Sequence, residues 1–375
     1  MVNTIFALLT PYLFIPLLIN GYNNKYICKF LAVYVTLFFV LFYGMRGETV
    51  GSDTAYYFHV FNSIDDVFIE PGFSIFIKLV RFFTTDGSVF LFSATFASAL
   101  FFFLGALKLT HNSDNVKLPL FILFVFTSFA TFDLYINAIR QGLGLSLFFF
   151  AATFFLVDKN KKSFLFFLLL SALAILVHYS IAILLLAFLL AIFFRNSDKA
   201  LKVILLLNIF LFVLCLLGVD LVSSFVNIIR NVSFLNSNFV FRKVINALSV
   251  YSELDKGSIN NLNLLGKLQL LAPLIILNLM YFKTRVVPND RVFFLLCSYI
   301  LAIYFLFAQQ AYSFRYLYLM NFYIQYSILI LLFSSLKMFN LNVKLTLSIV
   351  ISMVFSFVFL WNTKQAMLLI EGFNG

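Results

Sequence analysis

Only three cysteines occur in 375 residues, Cys28, Cys215 and Cys297, and they are scattered in or beside apolar runs. With no CxxC pair and no metal-ligand spacing, neither a disulfide framework nor a zinc site is suggested, and the thiols read as small hydrophobes. Charge is scarce as well: Asp, Glu, Lys and Arg make up 11% of the chain against 63% hydrophobic residues, and mean hydropathy is +1.03. A chain so poor in charge cannot fold as a soluble globule without leaving most of its apolar surface in water. Carboxylates are outnumbered, 15 against 26 basic residues, for a net charge of +11. The basic residues gather on no single soluble element, however, so a nucleic-acid partner is not expected. No DxD-like pair of acids occurs, so no metal and no other cofactor is expected. Residues 1–20 lack a basic n-region and an A-x-A-like cleavage site and contain Pro11 and Pro16, which predicts a retained first helix rather than a removed signal peptide.

What is present is hydrocarbon in runs of bilayer length. Backbone polar groups must be satisfied internally in lipid, so such runs cross as helices. The expected fold is an all-α polytopic membrane protein of about 12 spans, near 3–20, 27–44, 88–109, 118–136, 138–157, 164–177, 180–194, 203–222, 268–282, 292–308, 317–336 and 345–361. The whole chain 1–375 reads as a single transmembrane domain. Cytoplasmic loops carry the excess of Lys and Arg. With the N-terminus outside, Lys25, Lys29, Lys108, Lys117, Lys159, Lys161, Lys162, Arg195, Lys199 and Lys202 fall inside, as do Lys283, Arg285, Arg291, Lys337 and Lys344. This leaves 45–87 and 223–267 as the two large periplasmic loops. Residues 70–83 are too short to span. Glu70, Ser74, Lys78 and Arg81 share one side of a helix there and Phe73, Phe76, Ile77 and Val80 the other, predicting an amphipathic helix on the outer face. The run 164–194 is too long for one untilted crossing and is basic at both ends, so it is expected to break at His178 into a helix pair. A single tilted helix is the competing reading.

Six of the nine arginines, Arg46, Arg81, Arg140, Arg230, Arg242 and Arg315, lie outside in this topology. Guanidinium forks match phosphate oxygens, which points to an anionic phosphate ligand at the outer face. Arg230 and Arg242 read as solvating charges of the loop 223–267, whereas Arg46, Arg140 and Arg315 each sit at a helix mouth. Asp133, Asn137, Arg140, Gln141 and Gly144 recur on one face of a membrane helix end, and such a face must look at protein or water rather than lipid. Arg315 stands among Tyr312, Tyr316, Tyr318 and Tyr323, residues that also suit an interfacial belt. His178 can accept a proton near neutral pH. Lone buried histidines are as often packing residues. The stretch 46–73 holds five of the 15 carboxylates, and Glu70 there is either an acid–base group or a helix cap.

Arg46 followed by Gly51-Ser52-Asp53 and Tyr56-Tyr57, then Glu70-Pro71-Gly72, Ile139-Arg140-Gln141, His178-Tyr179-Ser180 and Arg315-Tyr316, in this order, resembles the EpsG-like and Wzy-type polysaccharide polymerases of bacterial envelopes. The resemblance covers about residues 40–320. It implies an enzyme of the inner membrane that polymerises undecaprenyl-pyrophosphate-linked repeat units of O-antigen or capsule at the periplasmic face. Implied partners are those lipid-linked oligosaccharides, the bilayer and a chain-length regulator protein. In this reading Arg46, Arg140, Gln141, Arg315 and Tyr316 bind the pyrophosphate. The acceptor proton goes to His178 first, Glu70 second, with Asp53 orienting an arginine. Two other classes share the arginine logic: a flippase for the same lipids, which should show two related halves and mid-membrane polar groups, and an O-antigen ligase.

Overall fold

The computed structural model describes residues 10–19, 24–64, 69–111, 115–222, 271–284, 288–309 and 313–336, with isolated positions at 224 and between 343 and 353. Every regular element among them is helical. Arg230, Arg242, Tyr312 and the loop 223–267 lie outside the described residues, as do most of the last expected span and part of the first. Two compact units divide the chain, residues 1–183 with 328–375 and residues 184–327.

The first unit opens with a short 3-10 turn, Thr10–Leu13, and α1, Phe14–Ile19, followed by α2, Lys25–Gly44. Asn24 starts α2 by accepting hydrogen bonds from the amides of Tyr26 and Ile27, which satisfies donors a helix start leaves orphaned. Two non-spanning helices come next, α3 (Thr54–Asn62) and α4 (Pro71–Phe83), then α5 (Gly87–Thr110), whose first turn is capped by Asp86. α6 (Lys117–Thr127) and α7 (Phe129–Ile136) replace the straight span expected over 118–136 and meet at 68°. The break is at Ser128, which is extended and offers its hydroxyl oxygen to the amide of Thr131 as the cap of α7. All of α6 from Leu118 to Thr127 is buried, as suits a helix that is apolar on every side. α8 (Ile139–Asp158) and α9 (Lys161–Val177) complete the set that positions the site. At 17 residues α9 is about 25 Å long, and it stops where the sequence predicts, with α10 (Ile181–Phe194) following after His178.

In the second unit, which contains most of α10, lie α11 (Asp198–Leu216), α12 (Leu271–Thr284), α13 (Pro288–Leu306), α14 (Phe314–Tyr318) and the start of α15 (Asn321–Leu336). α11 and α13 are tied at mid-length by Asn208, whose amide donates to the carbonyl of Ser298 at 3.0 Å. Arg291 pairs with Asp198 at 3.1 Å.

Among the described residues four helices, α2, α5, α8 and α11, are long and apolar enough to cross a bilayer, and the bent pair α6 and α7 makes a fifth; α10, α12, α13 and α15 contribute shorter apolar stretches. The protein is therefore an all-α, multi-pass membrane protein. α4 departs from a simple amphipathic helix. Phe73 and Ile77 are buried, yet Ile75, Leu79, Phe82 and Phe83 form a second apolar stripe that is exposed. Such a helix suits a position between protein and lipid headgroups.

Candidate functional site

Tyr57, Val60, Phe61, Ile69, Phe73, Ile77, Phe90, Leu91, Ile139, Leu143 and Val177, among others, form a satellite core. It gathers α3, α4, the start of α5, the start of α8 and the end of α9 at one end of the first unit. Phe73 and Phe90 meet edge to face at 6.1 Å. Burying a phenylalanine of this kind stabilises by about 1.5–3 kcal/mol, and Phe73 with Ile77 forms the buried anchor of the 13-residue helix.

Glu70 immediately precedes α4, with Pro71 as its first residue, but the carboxylate makes no capping hydrogen bond. It points instead at two other helices. Oε2 accepts from Nη1 of Arg140, near the start of α8, at 2.5 Å, and Oε1 lies 2.8 Å from Nδ1 of His178, at the end of α9. The side chain of Glu70 is 9% exposed, those of Arg140 and His178 25% each. Burial would raise the pKa of Glu70, but the hydrogen bond from His178 and the charge of Arg140 outweigh it and bring the carboxyl down to about 2. An ionised carboxylate only accepts hydrogen bonds. Nδ1 of His178 therefore donates to it, and Nε2 is the ring nitrogen left outside the pair.

Tyr57, buried in the same core, hydrogen-bonds Arg140 and lies within electrostatic range of Arg46. Sequence reading placed Tyr57 in a motif without a role; its signal was only its proximity to Arg46.

Arg46 itself is 7% exposed. It donates to the carbonyls of Tyr43 at 2.6 Å and Ile136 at 3.2 Å and to the hydroxyl of Thr54 at 3.3 Å. Burial pulls its pKa down to about 10, with Tyr57 acting the other way, so it stays charged at neutral pH. This geometry braces the C-terminal ends of α2 and α7, whose last carbonyls lack helical partners. Arg46 is oriented by Thr54, one residue beyond Asp53. Asp53 stands before α3 and takes a hydrogen bond from the hydroxyl of Ser52 at 2.9 Å. Replacing Arg46 with Met should strand two buried carbonyls and lower stability by about 1–3 kcal/mol, read as a lower melting temperature of the detergent-solubilised protein. An unchanged melting temperature would remove the bracing role.

The polar face expected along one helix is split. Asn137 sits between α7 and α8, donating to Asp133 at 2.6 Å and accepting from the amide of Ser52 at 2.8 Å, so Asp133 and Asn137 staple the loop while Arg140 and Gln141 begin α8. Gly51, at φ +94, fits against Ile136 and Asn137 where no side chain has room. Gln141 is buried. Arg315 and Tyr316 belong to the second unit, half-buried on α14, with the Tyr316 ring 5.2 Å from that of Phe307. Among the described residues no group of three or more His, Cys, Asp or Glu side chains is placed to hold a metal.

A buried carboxylate thus joins a histidine to an arginine at one end of a set of apolar helices. The model of the EpsG family matches residues 29–371. The chain belongs to that family, which places it among membrane proteins of polysaccharide biosynthesis. No curated protein and no solved structure was found to match it.

Proposed function

We propose that the protein is a glycosyltransferase of the bacterial inner membrane, a polymerase joining undecaprenyl-pyrophosphate-linked oligosaccharide repeat units at the periplasmic face. The observation that carries this reading is the Glu70 carboxylate, ionised and shared between Arg140 and His178. Nε2 of His178 takes the proton of the acceptor hydroxyl as its oxygen attacks the anomeric carbon of the donor sugar, and the bond from that carbon to the pyrophosphate breaks. The electron pair leaves on the pyrophosphate. Glu70 holds the imidazole in the working tautomer and stabilises the imidazolium that forms. Arg140 spends one nitrogen on Glu70 and is assigned with its remaining N–H groups to the pyrophosphate, whose developing charge a fixed guanidinium stabilises.

Deletion of the gene is expected to leave surface glycans one repeat unit long, and purified protein given lipid-linked repeat units should extend them. Surface glycans that are absent altogether would favour a flippase. The topology has its own check: with the three native cysteines buried, Ser52→Cys should react with an impermeant thiol reagent from outside and Lys162→Cys should not. The opposite pattern would turn the site to the cytoplasm and remove a periplasmic reaction.

A further inference from the structure

We infer that Gly72 is the positioning residue of the Glu70–His178 pair, because it lets the first turn of α4 approach the backbone of the last turn of α9 closely enough for carboxylate and imidazole to meet. The inference rests on the reading of His178 as the base. A Cβ on Gly72 would lie 2.7 Å from the carbonyl carbon of Leu176, 2.9 Å from its oxygen and 2.9 Å from the nitrogen of Val177. These are backbone atoms, so no side chain can swing away to make room. Ordinary contact begins at 3.4 Å, and one of the two helix ends has to retreat to reach it. Glu70 is two residues from the contact on one side, and His178 follows directly on the other. A retreat from 2.7 to 3.4 Å along their line takes the 2.8 Å hydrogen bond to about 3.5 Å, where most of it is lost.

The rest of the junction is built for the same approach. Pro71 has no N–H to leave unsatisfied at the start of α4 and enters with helical φ already set. Gly144 of α8 closes the opposite side of the break, where a Cβ would stand 3.1 Å from the carbonyl of Ala174 and 3.5 Å from Cβ of His178. The backbone around His178 is thus closely approached by α8 at Gly144 and by α4 at Gly72. Alanine is a better helix former than glycine, so a loss on Gly72→Ala reflects the added methyl and not a weakened helix.

The test reads the pair directly. The chain contains three histidines, His59, His111 and His178, so ¹⁵N-histidine-labelled protein in lipid gives a small set of imidazole signals, and His178→Gln assigns the relevant one. Wild type should show Nδ1 of His178 donating a strong hydrogen bond to a carboxylate. Gly72→Ala should lose that signature, whereas Gly105→Ala, an equally tight contact against the Phe149 ring, should keep it. Glu70→Asp should lose it too, because α4 has no room to follow the shorter side chain inward. This variant decides the matter if Gly72→Ala does not accumulate. Retention of the signature in Gly72→Ala or in Glu70→Asp would overturn the inference, as would its loss in Gly105→Ala. No substrate enters the measurement, so an intact pair in a protein that extends no glycan counts against the proposed function alone.

Discussion

Glu70→Gln is expected to cut glycan extension by about 10²- to 10⁴-fold, the range by which a positioned proton acceptor accelerates a reaction, while leaving donor binding nearly unchanged. Glutamine has almost the shape of glutamate, but it is neutral and can present an NH₂ to Nδ1 of His178. The imidazole then flips its tautomer or loses its partner, and Nε2 no longer accepts. His178→Ala should be at least as severe. The pH profile separates the two candidates for the base, because Glu70 holds its charge down to about 2. A carboxylate base would work in strong acid, whereas an imidazole base fails once it is protonated. Full extension by His178→Ala, or a wild-type rate that persists below pH 4, would hand the proton to Glu70. The same depressed pKa bears on stability: the pair stabilises the fold at every pH above the usual carboxylate range and ceases to as pH falls through about 2.

Arg140→Lys should be nearly as damaging as Arg140→Ala, by about 10²-fold or more in extension if the lost donors act on the transition state. One guanidinium nitrogen is bound to Glu70 at 2.5 Å and another contact goes to Tyr57. The remaining N–H groups keep a fixed direction toward a ligand because the fork is planar. An ammonium can neutralise Glu70 but cannot hold carboxylate, phenol and phosphate at set angles at once. Normal extension by Arg140→Lys, measured at equal protein level, would reduce the requirement to charge alone.

Much of the frame is visible in the sequence because membrane helices announce themselves by length, and α2, α5 and α8 fall within a few residues of their expected spans. His178 marks a helix break for a local reason, a run too long for one crossing with basic residues at both ends. Ser128 was hidden because FVFTSFATF carries no charge, and its three small hydroxyl residues leave no gap in hydropathy. The role of Arg46 was hidden for another reason. Its partners are carbonyls of Tyr43 and Ile136, and backbone oxygens have no letter in a sequence. Glu70, Arg140 and His178 were each legible as ionisable residues beside apolar runs. Their meeting was not, since the contacts join residues 70 and 108 positions apart and periodicity speaks only for neighbours within a few turns. The second apolar stripe of α4 escaped because Lys78 and Arg81 interrupt it and made that side look polar.

The 108 positions between Glu70 and His178 also set an order of events during synthesis. Glu70 leaves the ribosome well before either partner, and at 5–20 residues per second His178 follows roughly 5 to 20 s later. Arg140, 70 positions on, follows after roughly 3.5 to 14 s, and until then the carboxylate has neither cation nor imidazole. It cannot settle into a dry niche without them, so α4 waits at the membrane surface while α5 to α9 are inserted. A nascent chain arrested before α9 is complete therefore displays the loop 46–70 to proteases, and a chain arrested just after it does not.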